Sequence, residues 1–113
     1  MIKLKRAYDE ATKNDGFRVL VDRLWPRGIS KEKAHLNLWM KDIAPSTTLR
    51  KWFKHDPKKW LGFQEKYKKE LMKNKELIEQ LKEYEKKHKI LTLVYAAKDT
   101  EHNEAVILLD LLK

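Results

Sequence analysis

The chain has 113 residues, no cysteine, and 26 Lys plus Arg against 17 Asp plus Glu, a formal net charge of +9. That length suits a single domain (1–113) able to bury roughly two-thirds of its unfolded surface, and the missing cysteines exclude disulfides, thiolate nucleophiles and Cys-type zinc or iron–sulfur sites. No amino-terminal stretch resembles a signal peptide and no apolar run approaches bilayer length, so a soluble cytoplasmic protein without membrane contact is the expectation.

Ile2 to Arg6 alternates apolar and basic residues, the pattern of a half-buried edge strand. About ten residues lead from there to Phe17 and end in the turn signal Asn14-Asp15-Gly16. A helical crossover needs roughly ten to twelve residues including its helix, so the direction of this first strand stays open. Val19, Leu20 and Val21 then form a continuous apolar run, as suits a strand covered on both faces. Asp22, Arg23, Trp25 and Arg27 follow at once, and Pro26 and Gly28 end regular structure. Open α/β sheets place ligand sites where a buried strand opens at its carboxyl end into such a loop.

Ser30 is placed to cap a short helix over Lys31 to His35. Leu36, Leu38 and Met40 alternate with polar residues and Trp39, a run brief enough to fit either period, with a short extended piece as the expectation. Ser46 or Thr47 caps a helix at about Thr48 to Lys54, and Asp56-Pro57 restarts another with a cap followed by proline at the first helical position. Trp60, Phe63, Tyr67 and Leu71 mark one face of that helix. The stripe shifts phase at Lys73-Asn74, which predicts a break with Asn74 as a cap, before Leu77, Ile78, Leu81 and Tyr84 continue. Ile90 to Tyr95 is the second continuous apolar run, followed by Ala96, Ala97, Lys98 and Asp99. Asp99 or Thr100 is expected to cap a last helix that packs through Ala105, Val106, Leu108, Leu109 and Leu112. The fold class that results is a small single-domain α/β layered fold with a mostly parallel central sheet of three to four strands flanked by helices.

Two parallel central strands would set their following loops side by side. That would gather Asp22, Arg23, Trp25 and Arg27 with Tyr95, Lys98, Asp99, His102 and Asn103. Arginine holds carboxylates and phosphates in a planar two-point contact, Asp22 could orient an arginine or act as a base, and His102 in the first turn of the last helix would favour an anion. A small anionic or phosphorylated ligand suits these parts, bound through Arg23, Trp25, Arg27, Tyr95, Lys98, Asp99, His102 and Asn103. Asp22, Arg23 and His102 are the candidates for any catalysis. The plainer alternatives are a structural Asp22–Arg23 ion pair, tryptophans 25 and 39 as core or lid, and a capping histidine. The chain lacks the glycine patterns of dinucleotide, P-loop and hydrolase-elbow sites, and no histidine spacing suggests a metal site. Cofactor identity and oligomeric state are not encoded in any motif.

The positive charge is local: residues 50–75 carry ten basic against three acidic residues. A basic segment of this kind could meet nucleic acid, and the aromatic face around Trp52, Trp60 and Phe63 could dock a protein partner. Yet 21 of the 26 basic residues are Lys, the composition of a solvated face, so weak or no nucleic-acid binding is expected. At VDRLWPRG, KDIAPS and YAAKDTEHNEA, and in the helix residues Phe63, Tyr67, Glu70 and Leu71, the chain resembles the YeaO-like short branch of the domain-of-unknown-function 488 family end to end. The resemblance implies a fold type and a candidate site at the two loops rather than a reaction. Longer members carry a Cys-His-Arg string where this chain has Asn103 and Glu104, and short-branch members carry a histidine at the place of Glu104. A cysteine- or metal-based mechanism therefore does not transfer to this chain.

Overall fold

The computed structural model describes residues 1–113. Four strands, β1 (Ile2–Arg6), β2 (Phe17–Leu20), β3 (Leu38–Trp39) and β4 (Leu91–Tyr95), form one sheet in the order β1-β4-β2-β3. Every neighbouring pair is parallel, which settles the direction of β1. The helices are α1 (Lys31–Ala34), α2 (Thr47–Phe53), α3 (Trp60–Met72), α4 (Lys75–His88) and α5 (Glu104–Leu112). No helix is long and apolar enough to cross a membrane.

Period-two alternation sorts the strand residues onto two unlike faces. Val19, Val21, Leu91, Leu93 and Tyr95 join the main core, which α2 to α5 cover through Phe53, Phe63, Tyr67, Leu71, Leu81 and Leu108. Leu20 and Val94 point the other way, into a small cluster with Ala7 that Trp25, Ile29, Leu36 and Trp39 close over. Both central strands are thus buried on both faces, as their continuous runs require, although the second face also carries Arg18 and Thr92. Helical cover is nevertheless one-sided, because α1 is a single turn and loops complete the second face.

The connection from β1 to β2 contains no α-helix, only a 3₁₀ turn at Lys13–Asp15. Ten extended residues reach about 33 Å, enough to pass over β4 and return. Gly16 ends this connection with φ of 62°, and a side chain there would collide with the Ile90 carbonyl. That carbonyl accepts the Phe17 N–H at 2.9 Å, so the close approach registers β2 against β4.

The capping signals act largely as their chemistry dictates. Ser30 accepts from the Lys33 N–H, Ser46 from Leu49 and Asp56 from Lys58. Asn74 occupies the break between α3 and α4, but its side chain makes no capping bond. The last helix departs from the expectation. Asp99 Oδ1 accepts from the N–H groups of Glu101 and His102 at 2.9 and 3.0 Å, closing a tight turn instead of a helix start. Asn103 is the cap, accepting from Val106 at 3.2 Å, and α5 begins at Glu104. His102 therefore lies before the helix, and its presumed place in the first helical turn does not hold.

Candidate functional site

Parallel β2 and β4 bring the loops that follow them to one edge of the sheet. Asp22 joins them: its Oδ2 accepts from the Ala96 N–H at 2.9 Å, directly beyond the last strand bond from Val21 to the Val94 carbonyl. Between these loops, the Ala44-Pro45 segment and the Arg50 and Phe53 side of α2 lies a cavity of about 600 Å³. Of the residues singled out from sequence, Asp22, Arg23, Trp25, Arg27, Lys98, Asp99, His102 and Asn103 line it. Tyr95 does not. As the last residue of β4 it turns its ring into the core, 3% exposed, where burial, offset by Arg6, pushes its phenol upward. A ligand-contacting role for Tyr95 is corrected on that ground.

The lining residues are held in different ways. Arg23 forms no ion pair with Asp22. Its Nε and Nη2 donate to the carbonyls of Pro45 and Ala44 at 3.2 and 3.1 Å, fastening the segment that leads into α2. Ser46 continues that anchorage through Glu70, which accepts from its N–H and hydroxyl. Trp25 meets Trp39 edge-on at 5.4 Å and donates to the Ile29 carbonyl, while Trp39 donates to the carbonyl of Asp22 at 2.7 Å. The two indoles close the second face of the sheet and so brace the loop from beneath. The Tyr8 hydroxyl donates to the Arg27 carbonyl at 3.0 Å, tying β1's trailing loop to the same rim. Asn103, 2% exposed, spends its side chain on the Asp99 carbonyl and the Val106 N–H, and is a structural cap.

Two acidic pairs sit within this frame. Asp99 Oδ2 lies 2.8 Å from His102 Nδ1. The Glu101 N–H and the His102 ring hold the Asp99 carboxyl below its usual range. With Nδ1 engaged, Nε2 is the ring nitrogen left for another partner, and Trp60 packs edge-on against the imidazole at 5.2 Å. Glu104 and Asp22 form the second pair. Burial, reinforced by contact with the Asp22 carboxylate, pushes the Glu104 carboxyl well above its usual range, with Arg50 opposing the rise. Glu104 thus holds its proton more tightly beside Asp22 than a free carboxyl does. No group of three or more His, Asp or Glu side chains is arranged to hold a metal ion.

Three ionisable lining residues were not singled out from sequence as site residues. Glu104 stood out only as a departure from the short-branch pattern. Arg50 counted as one cation of the basic segment, and His55 looked isolated. Lys54 and His55 both adopt left-handed backbone, with φ of 48° and 56°, which turns the chain between α2 and the Asp56-Pro57 restart and leaves His55 against the cavity. Only that stretch's abrupt halt between two helices could have hinted at it. The aromatic face proposed for a protein partner is mostly interior. Phe63 is buried and stacks on Phe53 at 4.2 Å, and Trp60 packs on both. Trp52 is 38% exposed, but it lies against Gly62 with Lys59 and Lys66 over its ring.

The family model for the inactive DUF488-N3 subclade matches residues 1–113. The chain is 46% identical over 112 residues to the uncharacterized protein YeaO of Escherichia coli K12, spanning 99% of this chain and 96% of that one. It is 36% identical over 111 residues to the uncharacterized protein Rv3073c of Mycobacterium tuberculosis H37Rv, spanning 98% and 92%. The same figures apply to Mb3100c of Mycobacterium bovis. No solved structure matches.

Proposed function

The chain belongs to the DUF488 family, and from that premise we propose that it binds a small anionic or phosphorylated ligand in the cavity between the loops after β2 and β4. One observation carries this reading. Arg27, Arg50 and Lys98 line the cavity with no carboxylate within ion-pair distance. The carboxylates there are engaged already, Asp22 by the Ala96 N–H and Glu104, Asp99 by two N–H groups and His102. A concave site whose acids are internally satisfied and whose cations are not has a net call for negative charge. The description of the family subclade as inactive fits binding without turnover.

Calorimetric titration with inorganic phosphate at low ionic strength tests the reading. Saturable binding at one site is expected, and Arg27→Gln with Arg50→Gln should weaken it about ten- to a hundredfold, the loss of charge-assisted contacts of roughly 1.5–3 kcal/mol. Unchanged affinity in the double variant would move the anion elsewhere. The Lys-rich surface of residues 50–75 is expected to bind duplex DNA weakly and with a steep salt dependence. Phe63 and Tyr67 in that segment are buried and Trp52 lies beneath Lys59 and Lys66, so it lacks the free aromatics that single-strand binders stack on bases. Sub-micromolar, sequence-selective binding at physiological salt would overturn that expectation.

A further inference from the structure

We propose that the anion this cavity takes carries a proton, hydrogen phosphate in its chemistry, and that His102 selects it by accepting that proton at Nε2 while Asp99 holds the ring in the accepting tautomer. This rests on the anion-binding reading and names the ligand class within it. The Asp99 side chain has little freedom. Its Oδ1 accepts from the N–H groups of Glu101 and His102 at 2.9 and 3.0 Å, and its backbone carbonyl accepts from Asn103 Nδ2 at 2.9 Å. Oδ2 is left for the ring, and it lies 2.8 Å from His102 Nδ1. The Asp99 carboxyl, held below its usual range by the Glu101 N–H and the ring itself, offers lone pairs and no proton. The single ring proton of a neutral imidazole therefore sits on Nδ1, and Nε2 carries a lone pair.

That lone pair is open to the cavity's contents. Nε2 takes no hydrogen bond from this chain, and no unpartnered side-chain nitrogen of a part-buried residue is closed off from solvent, so the atom is reached from outside. His102 and Asp99 both line the cavity, and Trp60 braces the imidazole edge-on at 5.2 Å. Arg27, Arg50 and Lys98 line the same space and are donors only. The cavity thus sets one oriented acceptor among positively charged donors. An oxyanion with nothing but lone pairs satisfies the cations and places a lone pair against Nε2. Hydrogen phosphate brings oxygens for the cations and an O–H for Nε2. A site built to bond an O–H discriminates against the analogue that lacks it, because its acceptor is then left unpaired.

At pH 8.5 hydrogen phosphate and sulfate are both tetrahedral dianions and differ by that proton, so titration of the full chain with each at matched ionic strength tests the inference. Phosphate should bind about ten- to a hundredfold tighter, the contribution of one hydrogen bond to a charged group. Asp99→Asn reads the positioning role. With its side-chain oxygen kept on the two N–H groups, its amide N–H faces Nδ1, which moves the ring proton to Nε2 and makes that atom a donor. The preference for phosphate should then vanish or reverse, an outcome that a merely structural Asp99 would not give. His102→Ala should bind the two anions alike, and should it fail to fold, Asp99→Asn decides. Imidazole nitrogen NMR of the parent should show Nδ1 protonated and Nε2 bare at this pH, and the reverse would overturn the inference. Sulfate binding as tightly as phosphate in the parent would overturn it too and leave the anion reading standing, whereas binding of neither would overturn both. A preference for phosphate that survives in either variant would place the proton's acceptor elsewhere and overturn the inference as well.

Discussion

Two polar clusters are built around β2, and they use the same residue types to opposite ends. At its start, on the loop-covered face, Asp15 and Arg18 pair at 2.7 Å with side chains only 4% exposed. Lys5 and Thr12 complete the shell of Asp15, and Arg18 spends Nε and Nη2 on the Ala34 carbonyl at the end of α1. Every charge there is answered within the chain. Just past the end of β2, the cavity also gathers arginines and carboxylates, but there Arg27, Arg50 and Lys98 have no carboxylate within ion-pair distance. A closed network fixes the fold, whereas an open one, with its cations facing a concave space, has room for a ligand. The contrast separates charge that closes the fold from the unpaired charge on which the proposed anion binding rests, without appeal to residue type.

The sharpest way to break the comparison is Arg18→Leu. It would take from the buried Asp15 its guanidinium partner, leaving only Lys5 and Thr12, and should cost about 3–5 kcal/mol, read by chemical denaturation. Adding Asp15→Leu should recover part of that loss, because the buried carboxylate left under-partnered goes too. A near-neutral Arg18→Leu would mean that the start of β2 is no more closed than its end.

The next effect is an acid limb. Although burial works against it, hydrogen bonds from the Thr12 N–H, Lys5, Thr12 hydroxyl and Arg18 bring the Asp15 carboxyl down from 3.8 to about 2. A folded value below the unfolded one gives stability that is complete above about pH 4 and lost as pH falls through 2. The loss should approach about 2 kcal/mol, and Asp15→Asn should flatten that limb. An acid limb unchanged in Asp15→Asn would assign it to other carboxylates.

The sequence showed the open cluster more readily than the closed one. Apolar runs at Val19 to Val21 and Ile90 to Tyr95, each leading into a charged loop, located the cavity because a parallel sheet aligns strand ends. Arg18 escaped notice for the same reason: one charged residue before an apolar run reads as a strand boundary. Its burial depends on Asp15 and the end of α1, contacts that no periodicity encodes. The start of α5 was misplaced because Asp99, Thr100 and Asn103 are all good caps, and the choice among them was made by the His102 and Glu101 N–H groups turning onto Asp99. Tyr95 was misassigned because a strand's last residue can face either way.

Arg23→Gln sharpens the contrast inside the cavity itself. Arg23 was the best-placed cation in the sequence, yet its guanidinium answers two backbone carbonyls. Its loss should cost about 1–3 kcal/mol of stability and weaken phosphate binding less than Arg50→Gln does. An unchanged melt with abolished binding would instead make Arg23 a direct contact and place it with the unanswered cations.

At acid pH the smallest effect belongs to Glu104→Gln, and its sign is the reverse of Asp15's. Burial and the Asp22 carboxylate raise the Glu104 carboxyl above its usual 4.5, so the folded protein holds this proton more tightly than the unfolded chain. Stability from this group is complete below 4.5 and falls as pH rises through the raised folded value. Glutamine keeps the shape and a donor for Asp22 but has no proton to lose. At pH 5 the variant should match the parent within about 0.5 kcal/mol. At higher pH it should overtake the parent, the gap widening by at most about 1.4 kcal/mol per pH unit while the proton is being lost. Denaturation curves from pH 5 to 9 read this directly. Parallel curves for the two proteins would mean that Glu104 holds its proton no more tightly folded than unfolded. The opposite signs of Asp15 and Glu104 would then no longer set the two ends of β2 apart, and the contrast would rest on the unpaired Arg27, Arg50 and Lys98 alone.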